Sequence, residues 1–392
     1  MGIIVDPPQT EGHGRLWSHV ASDASFEELH EFARRCGIPE RGFDRDHYDV
    51  PAEWYAKLVS AGAVPVSSRE LVSRLARCGL RRPKAHTLSP RRPGRMLLRP
   101  PRLSPGDLVA VILPAGPVDE DRLLAGTEVL RGWGLEVRLP DRRATSHRWL
   151  AGSDEARSHE LTAAWTDPEV RAVWAGRGGY GVHRLLDHLD WELLARAAPR
   201  VLVGFSDLTA LHQAFATRLG LASVHGPGVA ALGEAHPAVR AATRALVMEG
   251  SPTMLTGRPG PVAGTAEGVL VGGNLTVLAA SAGTALVRPA ADGVALLEDV
   301  GERPYRLDRA VTQLLRSGWL DGVRGIALGS FTACGDPDDV RTLLLDRLGG
   351  LGVPLVLDLP AGHGPQDLPL PLGVRGRLDA AAGTLELDRG VR

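Results

Sequence analysis

From Gly106 onward, short apolar runs bounded by Gly or Pro alternate with amphipathic stretches. LVAVILP (108–114), VRAVWAG (170–176) and VLVGF (201–205) are continuous and rich in aliphatic residues; helical periodicity follows near 119–133 and again up to about 219. Runs of this kind read as strands buried on both faces, which predicts a parallel sheet covered by helices. A second series repeats the pattern: GVALLEDV (293–300), a helix over 305–317, GIALGSF (325–331), a helix over 338–349, and PLVLDLP (354–360). Runs at 372–378 and 383–388, with Gly383 between them, predict closing β structure. Residues 1–80 pair helical patterns at Phe26–Arg35 and Ser67–Cys78 with apolar runs at Gly2–Val5 and Ala63–Val66. The predicted fold class is α/β: a small N-terminal α/β domain (1–80), a parallel-sheet, Rossmann-like α/β domain (103–250), and a C-terminal α/β domain (265–392). The boundary between the last two lies in a Gly/Pro-rich region at about 250–265.

Between the first two domains, residues 81–102 carry eight basic side chains and five prolines with no acid, a composition that predicts a solvated linker. Over the whole chain, 45 Lys and Arg balance 46 Asp and Glu, so no global field favours nucleic acid or an anionic membrane. Cys36, Cys78 and Cys334 are odd in number and widely spaced, fitting neither a disulfide framework nor a zinc knuckle. With no export or membrane-spanning signal in the sequence, a cytoplasmic location is expected.

The sharpest local signal is VLVGFSDLTALHQAF, where a strand runs through Gly204-Phe205-Ser206-Asp207 into a helix. Such an elbow exposes a serine hydroxyl at a helix start, beside backbone N–H groups able to stabilise an oxyanion. The bland alternative is that Ser206 only caps the helix. Leu208 and Thr209 depart from GxSxG, which disfavours an ordinary α/β-hydrolase. Gly176, Gly178, Gly179 and Gly181 follow the strand at 170–175; they suit a second oxyanion donor better than a nucleotide loop, because Gly176-Arg-Gly-Gly-Tyr-Gly, with its additional glycine, is not a clean GxGxxG and no ribose-binding acid stands in context. A nucleophile needs a base and the base an orienting group. Glu298, Asp299 and Glu302 stand at or just after a strand end, and His363 sits between two glycines in a later loop. Each alone reads as a surface group; the order Ser, Glu, His, each after a strand, raises the set above its members. Metal chemistry is the rival. His13, His19, His30 and the run Asp44-Arg-Asp46-His47-Tyr-Asp49 cluster near the N-terminus, but without HExxH or HxH spacing the default there is polar structure.

Residues 102–380 resemble the LD-carboxypeptidase family of serine peptidases (peptidase family S66), which includes microcin C self-immunity proteins. The matching stretches are LSPGDLVAVILPAGPV, WLAGSDEAR, AGRGGYGVHRLL, VLVGFSDLTALH, VHGPG, VGGNLTVLAASAGT, LLEDVGERPYRLDR and AGHGPQDLPLPLG. The resemblance implies Ser206 as nucleophile, His363 as general base and acid, and Glu298, first acid of the Leu-Glu-Asp motif, as the orienting carboxylate. It implies an oxyanion hole from the backbone N–H of Asp207 and of Gly179, with Arg303, Arg306 and Arg309 as partners for a substrate carboxylate and Asn274 shaping the site. It further implies a pocket between two α/β domains, a homodimer, and a murein peptide or other small amide as substrate, with no metal or other cofactor. Known members release D-Ala from murein tetrapeptides in cell-wall recycling; the immunity relatives cleave an aspartyl-nucleotide carboxamide. A catalytically dead scaffold acting as a binding module is the reading from another class. Residues 1–80, with VDPP, LWSHVASDASFEELHEFA, FDRDHYDVP and GAVPVSSRELVSRL, resemble a small domain of unknown function (DUF4031), and Asp46, His47 and Asp49 form a candidate polar site there.

Overall fold

The computed structural model describes all residues except 1, 13, 14, 45, 79, 81–93 and 141–147. The chain forms two compact units, Met1–Thr87 and Leu88–Arg392. Of the basic linker predicted over 81–102, residues 81–93 lie outside the described residues, as does His13.

In the first unit the elements are β1 (Ile3–Val5), β2 (Thr10–Gly12), β3 (Arg15–Ser22), α1 (Phe26–Cys36), β4 (Phe43–Asp44), β5 (His47–Pro51), α2 (Tyr55–Ser60), β6 (Val64–Pro65) and α3 (Ser68–Arg77). The sheet runs β4-β5-β3-β1-β6, with β2 hairpinned onto β3. Helix α1 begins where the Ser25 hydroxyl accepts the Glu28 N–H and ends at Gly37, whose φ of 79° suits a left-handed cap. Its buried Leu29, Phe32, Ala33 and Cys36 meet Val5, Val20, Tyr48 and Leu58 in one core. Central strand β3 escapes the apolar pattern, because in RLWSHVAS polar Ser18, itself buried, and half-buried His19 replace the expected aliphatics.

The second unit holds two sheets. The first orders as β18-β11-β10-β9-β7-β8, from β7 (Leu108–Ile112), β8 (Glu136–Arg138), β9 (Val170–Ala175), β10 (Val201–Gly204), β11 (Ser223–His225) and, antiparallel at its edge, β18 (Leu370–Leu372). Helices α4 (Glu120–Gly132), α5 (Asp154–Thr166), α6 (Val182–Leu185), α7 (Trp191–Arg196), α8 (Thr209–Arg218), α9 (Val229–Leu232) and α10 (Pro237–Arg244) belong to this part of the chain. Separate apolar clusters fill the two sides of the sheet: Ile112, Val173 and Leu202 pack with Leu161, Trp165 and Phe215, whereas Val111, Trp174 and Val203 pack with Leu123, Leu130 and Leu232. This doubly buried parallel arrangement is the one the continuous apolar runs predict.

The second sheet runs β12-β20-β19-β14-β15-β16-β17-β13, from β12 (Thr253–Thr256), β13 (Arg258–Pro259), β14 (Thr265–Asn274), β15 (Gly293–Val300), β16 (Gly325–Thr332), β17 (Leu355–Leu357), β19 (Arg375–Asp379) and β20 (Thr384–Leu387). Its central strands β14 to β17 are parallel. Helices α11 (Leu275–Ser281), α12 (Pro304–Arg316) and α13 (Pro337–Leu348) pack one face through Leu278, Leu307, Val311 and Leu344. The closing hairpin β19–β20 forms where predicted. The end of the segment predicted as a solvated tether, from Leu97 to Arg102, is instead packed within the second unit. Leu97 is buried and donates its N–H to Gly373, Leu98 bridges to Leu221, and Arg102 N–H meets the Arg392 carbonyl. The leucines among these arginines and prolines supply the apolar contact that the charge count hides.

Candidate active site

The strand β10 to helix α8 turn puts Ser206 at φ +64°, a left-handed conformation that non-glycine residues rarely hold. Strain of this kind persists only where surrounding structure enforces it, and it clusters at functional sites. Here the enforcement is visible. The Gly204 carbonyl accepts both the Gly226 N–H (3.1 Å) and His212 Nε2 (2.7 Å), and His212 Nδ1 meets the Ser223 hydroxyl at 2.8 Å. Complete burial drives the pKa of His212 down to about 3, so its ring is a neutral strut that donates from Nε2 and accepts at Nδ1. Ser206 does not occupy an N-cap position: Phe205 precedes the short 3₁₀ turn Ser206–Leu208, and Leu208 precedes α8.

The glycine loop after β9 closes onto this turn. A Cβ on Gly178 would stand 2.9 Å from Ser206 Cβ and 3.1 Å from the Phe205 carbonyl, so only glycine lets the loop approach so closely. Gly179 follows at φ +123°, and the loop is tied back by Gly116 N–H to the Gly178 carbonyl (3.3 Å). Asp207 is buried and accepts the Val182 N–H at 2.8 Å, which fixes the serine turn to the start of α6; desolvation raises its pKa to about 6. Arg157, also buried, donates to the carbonyls of Pro114, Gly152 and Gly181 and to Asp154, joining three loops around the same spot.

Glu298 lies on β15, where the pairing with β16 slips between Leu297 and Asp299. The irregularity separates the fates of two adjacent acids. Asp299 is spent on the start of α11, accepting from Asn274 Nδ2, Thr276 N and Oγ1, and Val300 N. Glu298 is fully buried, and its Oε2 lies 2.7 Å from His363 Nδ1. Its Oε1 lies 3.9 Å from His225 Nε2, beyond hydrogen-bond length. Desolvation alone would raise the carboxyl's pKa, but the two facing imidazoles outweigh it and hold it at about 2. Burial likewise opposes protonation of His363, yet the hydrogen bond and charge of Glu298 raise its pKa above 6.5. The loop before His363 fits against the acid: Gly362 has φ +95°, and a Cβ there would lie 2.4 Å from Glu298 Oε2. Asp367 Oδ1 accepts the Gly362 N–H at 2.9 Å and braces the loop. The imidazole then reaches the serine turn, its ring packed on that of Phe205 with centroids 4.7 Å apart.

The other predicted residues divide. Asn274 is buried at the end of β14, beside Glu298 in register, where it caps α11 through Val277 N–H and bonds Asp299. Arg303, Arg306 and Arg309 are exposed around the first turns of α12; Arg306 faces Glu302 at 3.4 Å, and Arg309 lies over the Tyr305 ring. In the first unit Asp46, His47 and Asp49 do come together, with His47 Nδ1 2.6 Å from Asp46 and Nε2 3.2 Å from Asp49. His30 instead turns to the Tyr48 hydroxyl at 2.8 Å. Sequence reasoning missed His212, His225, Arg157 and Asp367. The first is an isolated histidine in an apolar helix, and nothing local marks the partner it braces. None of the described helices is long and apolar enough to cross a membrane.

Family models match three segments of the chain. Residues 109–226 match the LD-carboxypeptidase N-terminal domain, 267–378 the LD-carboxypeptidase C-terminal domain, and 3–78 a protein of unknown function, DUF4031. A protein of Streptomyces coelicolor that carries a carboxypeptidase name is 52% identical over 303 residues, covering 75% of this chain and 97% of the relative. The murein tetrapeptide carboxypeptidase of Pseudomonas aeruginosa is 38% identical over 282 residues, covering 68% of this chain and 91% of that protein. Among solved structures, the muramoyltetrapeptide carboxypeptidase of Oxalobacter formigenes is 33% identical, with a TM-score of 0.64 over 72% of this chain and 98% of its own. The microcin C7 self-immunity protein bound to aspartyl sulfamoyl adenosine shares the fold at 20% identity, with a TM-score of 0.68 over 75% of this chain and all of its own. The chain therefore belongs to the LD-carboxypeptidase family of serine-type hydrolases, extended at its N-terminal end by a DUF4031 domain.

Proposed function

We propose that this protein is a cytoplasmic murein-recycling carboxypeptidase that hydrolyses the L,D-amide bond to a terminal D-Ala of murein tetrapeptides through an acyl-enzyme on Ser206. The observation that carries the reading is the short contact between His363 Nδ1 and the buried carboxylate of Glu298. It favours the tautomer with the proton on Nδ1 and leaves Nε2 as the basic nitrogen. In this mechanism Ser206 Oγ attacks the scissile carbonyl as His363 Nε2 takes its proton. The backbone N–H groups of Asp207 and Gly179 receive the developing oxyanion. Collapse expels the D-Ala amine, which takes the proton from His363, and water then releases the acyl group by the same relay. Arg303 and Arg306 are the cations proposed to meet the substrate carboxylate, and a homodimer is the proposed assembly.

The substrate assignment rests on the murein carboxypeptidase names of relatives at 33–38% identity; the likeness to the self-immunity protein is at the level of the fold. The test is D-Ala release from purified murein tetrapeptide by wild type and Ser206→Ala, with an aspartyl-nucleotide amide run in parallel. Release by wild type that falls by at least about a thousandfold in the variant supports the proposal. Turnover of the nucleotide amide alone transfers the protein to the immunity branch. Turnover of neither substrate overturns the hydrolytic assignment and points to a binding role.

A further inference from the structure

The DUF4031 domain contains a constellation that the serine chemistry leaves unused. His19 on β3 and Asp49 on β5 are directly paired across the sheet, and His47 lies two residues before Asp49 on the same strand. Since side chains alternate along a strand and cross-strand partners share a face, the backbone register alone sends all three to one side. There His47 Nε2 lies 3.2 Å and His19 Nε2 3.7 Å from Asp49 Oδ1, and the three atoms lie within 4.8 Å of one another.

The histidines are also pre-oriented from behind. His19 Nδ1 is held at 2.9 Å by Asp6, whose side chain is almost wholly buried and also accepts from His19 N and Ser68 Oγ (both 2.6 Å). His47 Nδ1 is held at 2.6 Å by Asp46, which is fully buried. Each imidazole thus has an outer carboxylate on one nitrogen and turns the other toward a shared carboxylate. That is the arrangement in which histidines bind metal: the outer acid fixes the tautomer and raises the basicity of the ligating nitrogen. An ion about 2.1 Å from each of three tetrahedral N/O ligands requires ligand atoms about 3.4 Å apart, and the observed separations to Asp49 bracket that value.

We infer that His19, His47 and Asp49 bind a divalent transition-metal ion of the zinc class, with Asp6 and Asp46 as orienting residues. The N₂O donor set, with no thiolate, suits Zn²⁺ or Co²⁺. Three protein ligands leave a coordination position for water or a small anion, the pattern of reactive rather than closed structural sites. Absence of HExxH spacing is no objection, because here the ligands are brought together by strand register and not by a helix turn.

The test uses the untagged full chain, stripped with chelator, titrated with Co²⁺ and followed by its visible d–d bands, then displaced with Zn²⁺ in a calorimeter. Expected are one ion per chain, a Kd for Zn²⁺ at or below about 1 μM, and a rise in melting temperature on loading. Asp49→Asn and His19→Gln should weaken binding at least tenfold, Asp6→Asn about ten- to a hundredfold, and Ser206→Ala not at all. The Asp49 side chain is about a third exposed (36%), so Asp49→Asn reports on binding without opening the core; the melting temperature of each metal-free variant, set against metal-free wild type, checks folding. No stoichiometric uptake by folded wild type, or uptake unchanged in folded Asp49→Asn, overturns the inference.

Discussion

Replacing Glu298 by Gln tests the proposed mechanism most directly. The substitution keeps the shape of a fully buried side chain and removes its charge. A carboxyl held at about 2 against an ordinary 4.5 favours its ionised form by about 3 kcal/mol, and most of that preference comes from imidazoles facing its two oxygens. The same coupling stabilises the imidazolium that His363 becomes when it takes the serine proton. That preference is shared between His225 and His363, so the loss expected in the transition state is that of one charge-assisted hydrogen bond, about 1.5–3 kcal/mol, which would slow kcat by roughly ten- to a hundredfold. A glutamine can also present its N–H₂ to His363 Nδ1 and select the wrong tautomer, which extends the loss toward about 10⁴. KM should change little, because the carboxylate is buried behind the imidazole. The pH profile supplies a second readout. His363 must be neutral to act as base, and its pKa is raised by Glu298, so the acidic limb of kcat/KM lies above pH 6.5 in wild type. In Glu298→Gln that limb moves to lower pH even as the rate falls. The assay is D-Ala release under saturating and limiting substrate from pH 5 to 9. A variant that keeps more than a tenth of wild-type kcat, or whose acidic limb does not move, refutes the assigned role.

Three further outcomes follow from the same geometry. Gly362→Ala places a methyl group against Glu298 Oε2 at a φ of +95°; thermal unfolding should show a loss of about 1 kcal/mol or more, and kcat should drop at least tenfold as the acid is displaced. His212→Asn removes a neutral strut whose folded pKa of about 3 lies below the unfolded 6.5. Only the unfolded chain takes up that proton between those values, so the strut's contribution is full above pH 6.5 and declines as pH falls; urea titrations should find the cost of the substitution about 2 kcal/mol smaller at pH 5 than at pH 7.5, and an equal cost would contradict the assignment. Arg306→Ala, on an exposed residue partnered by Tyr305 and Glu302 at the surface end of α12, should leave stability within about 0.5 kcal/mol. If Arg306 meets the substrate carboxylate, KM rises with kcat retained, and an unchanged KM removes it from the binding surface.

How much was legible in the chain depended on whether the signal was local. Strands β7, β9, β10, β15 and β16 were readable because a strand buried on both faces must be apolar throughout. The Ser206 elbow was readable because strand, turn and helix are contiguous. Strand β3 was hidden: its His19 faces a cluster assembled by β5, and no window on β3 reveals that partner. The choice of Glu298 over Asp299 and Glu302 came from family resemblance, and its physical reason is distributed over Asn274, Thr276 and Arg306, which occupy the other two acids. His212 and Arg157 were invisible for a related reason. Each acts on backbone carbonyls of distant loops, and a carbonyl leaves no mark on the sequence of the residue that will bond it.

The same distinction explains why the two halves of the candidate site meet. The serine turn belongs to the first sheet and Glu298 to the second, so their approach cannot be a property of either run of strands. Strand β18 supplies the join: seven residues beyond His363 the chain enters the first sheet and pairs antiparallel with β11, placing Leu370 opposite His225. The loop that carries His363 is therefore anchored at one end by β17 in the second sheet and at the other by β18 in the first. Its imidazole is held against Glu298 on one side and the Phe205 ring on the other. A substitution that loosens β18 should thus separate His363 from the Ser206 turn, the proposed base from the proposed nucleophile, while leaving the contact between His363 and Glu298 intact, because that contact is made between β15 of the second sheet and the loop that follows β17.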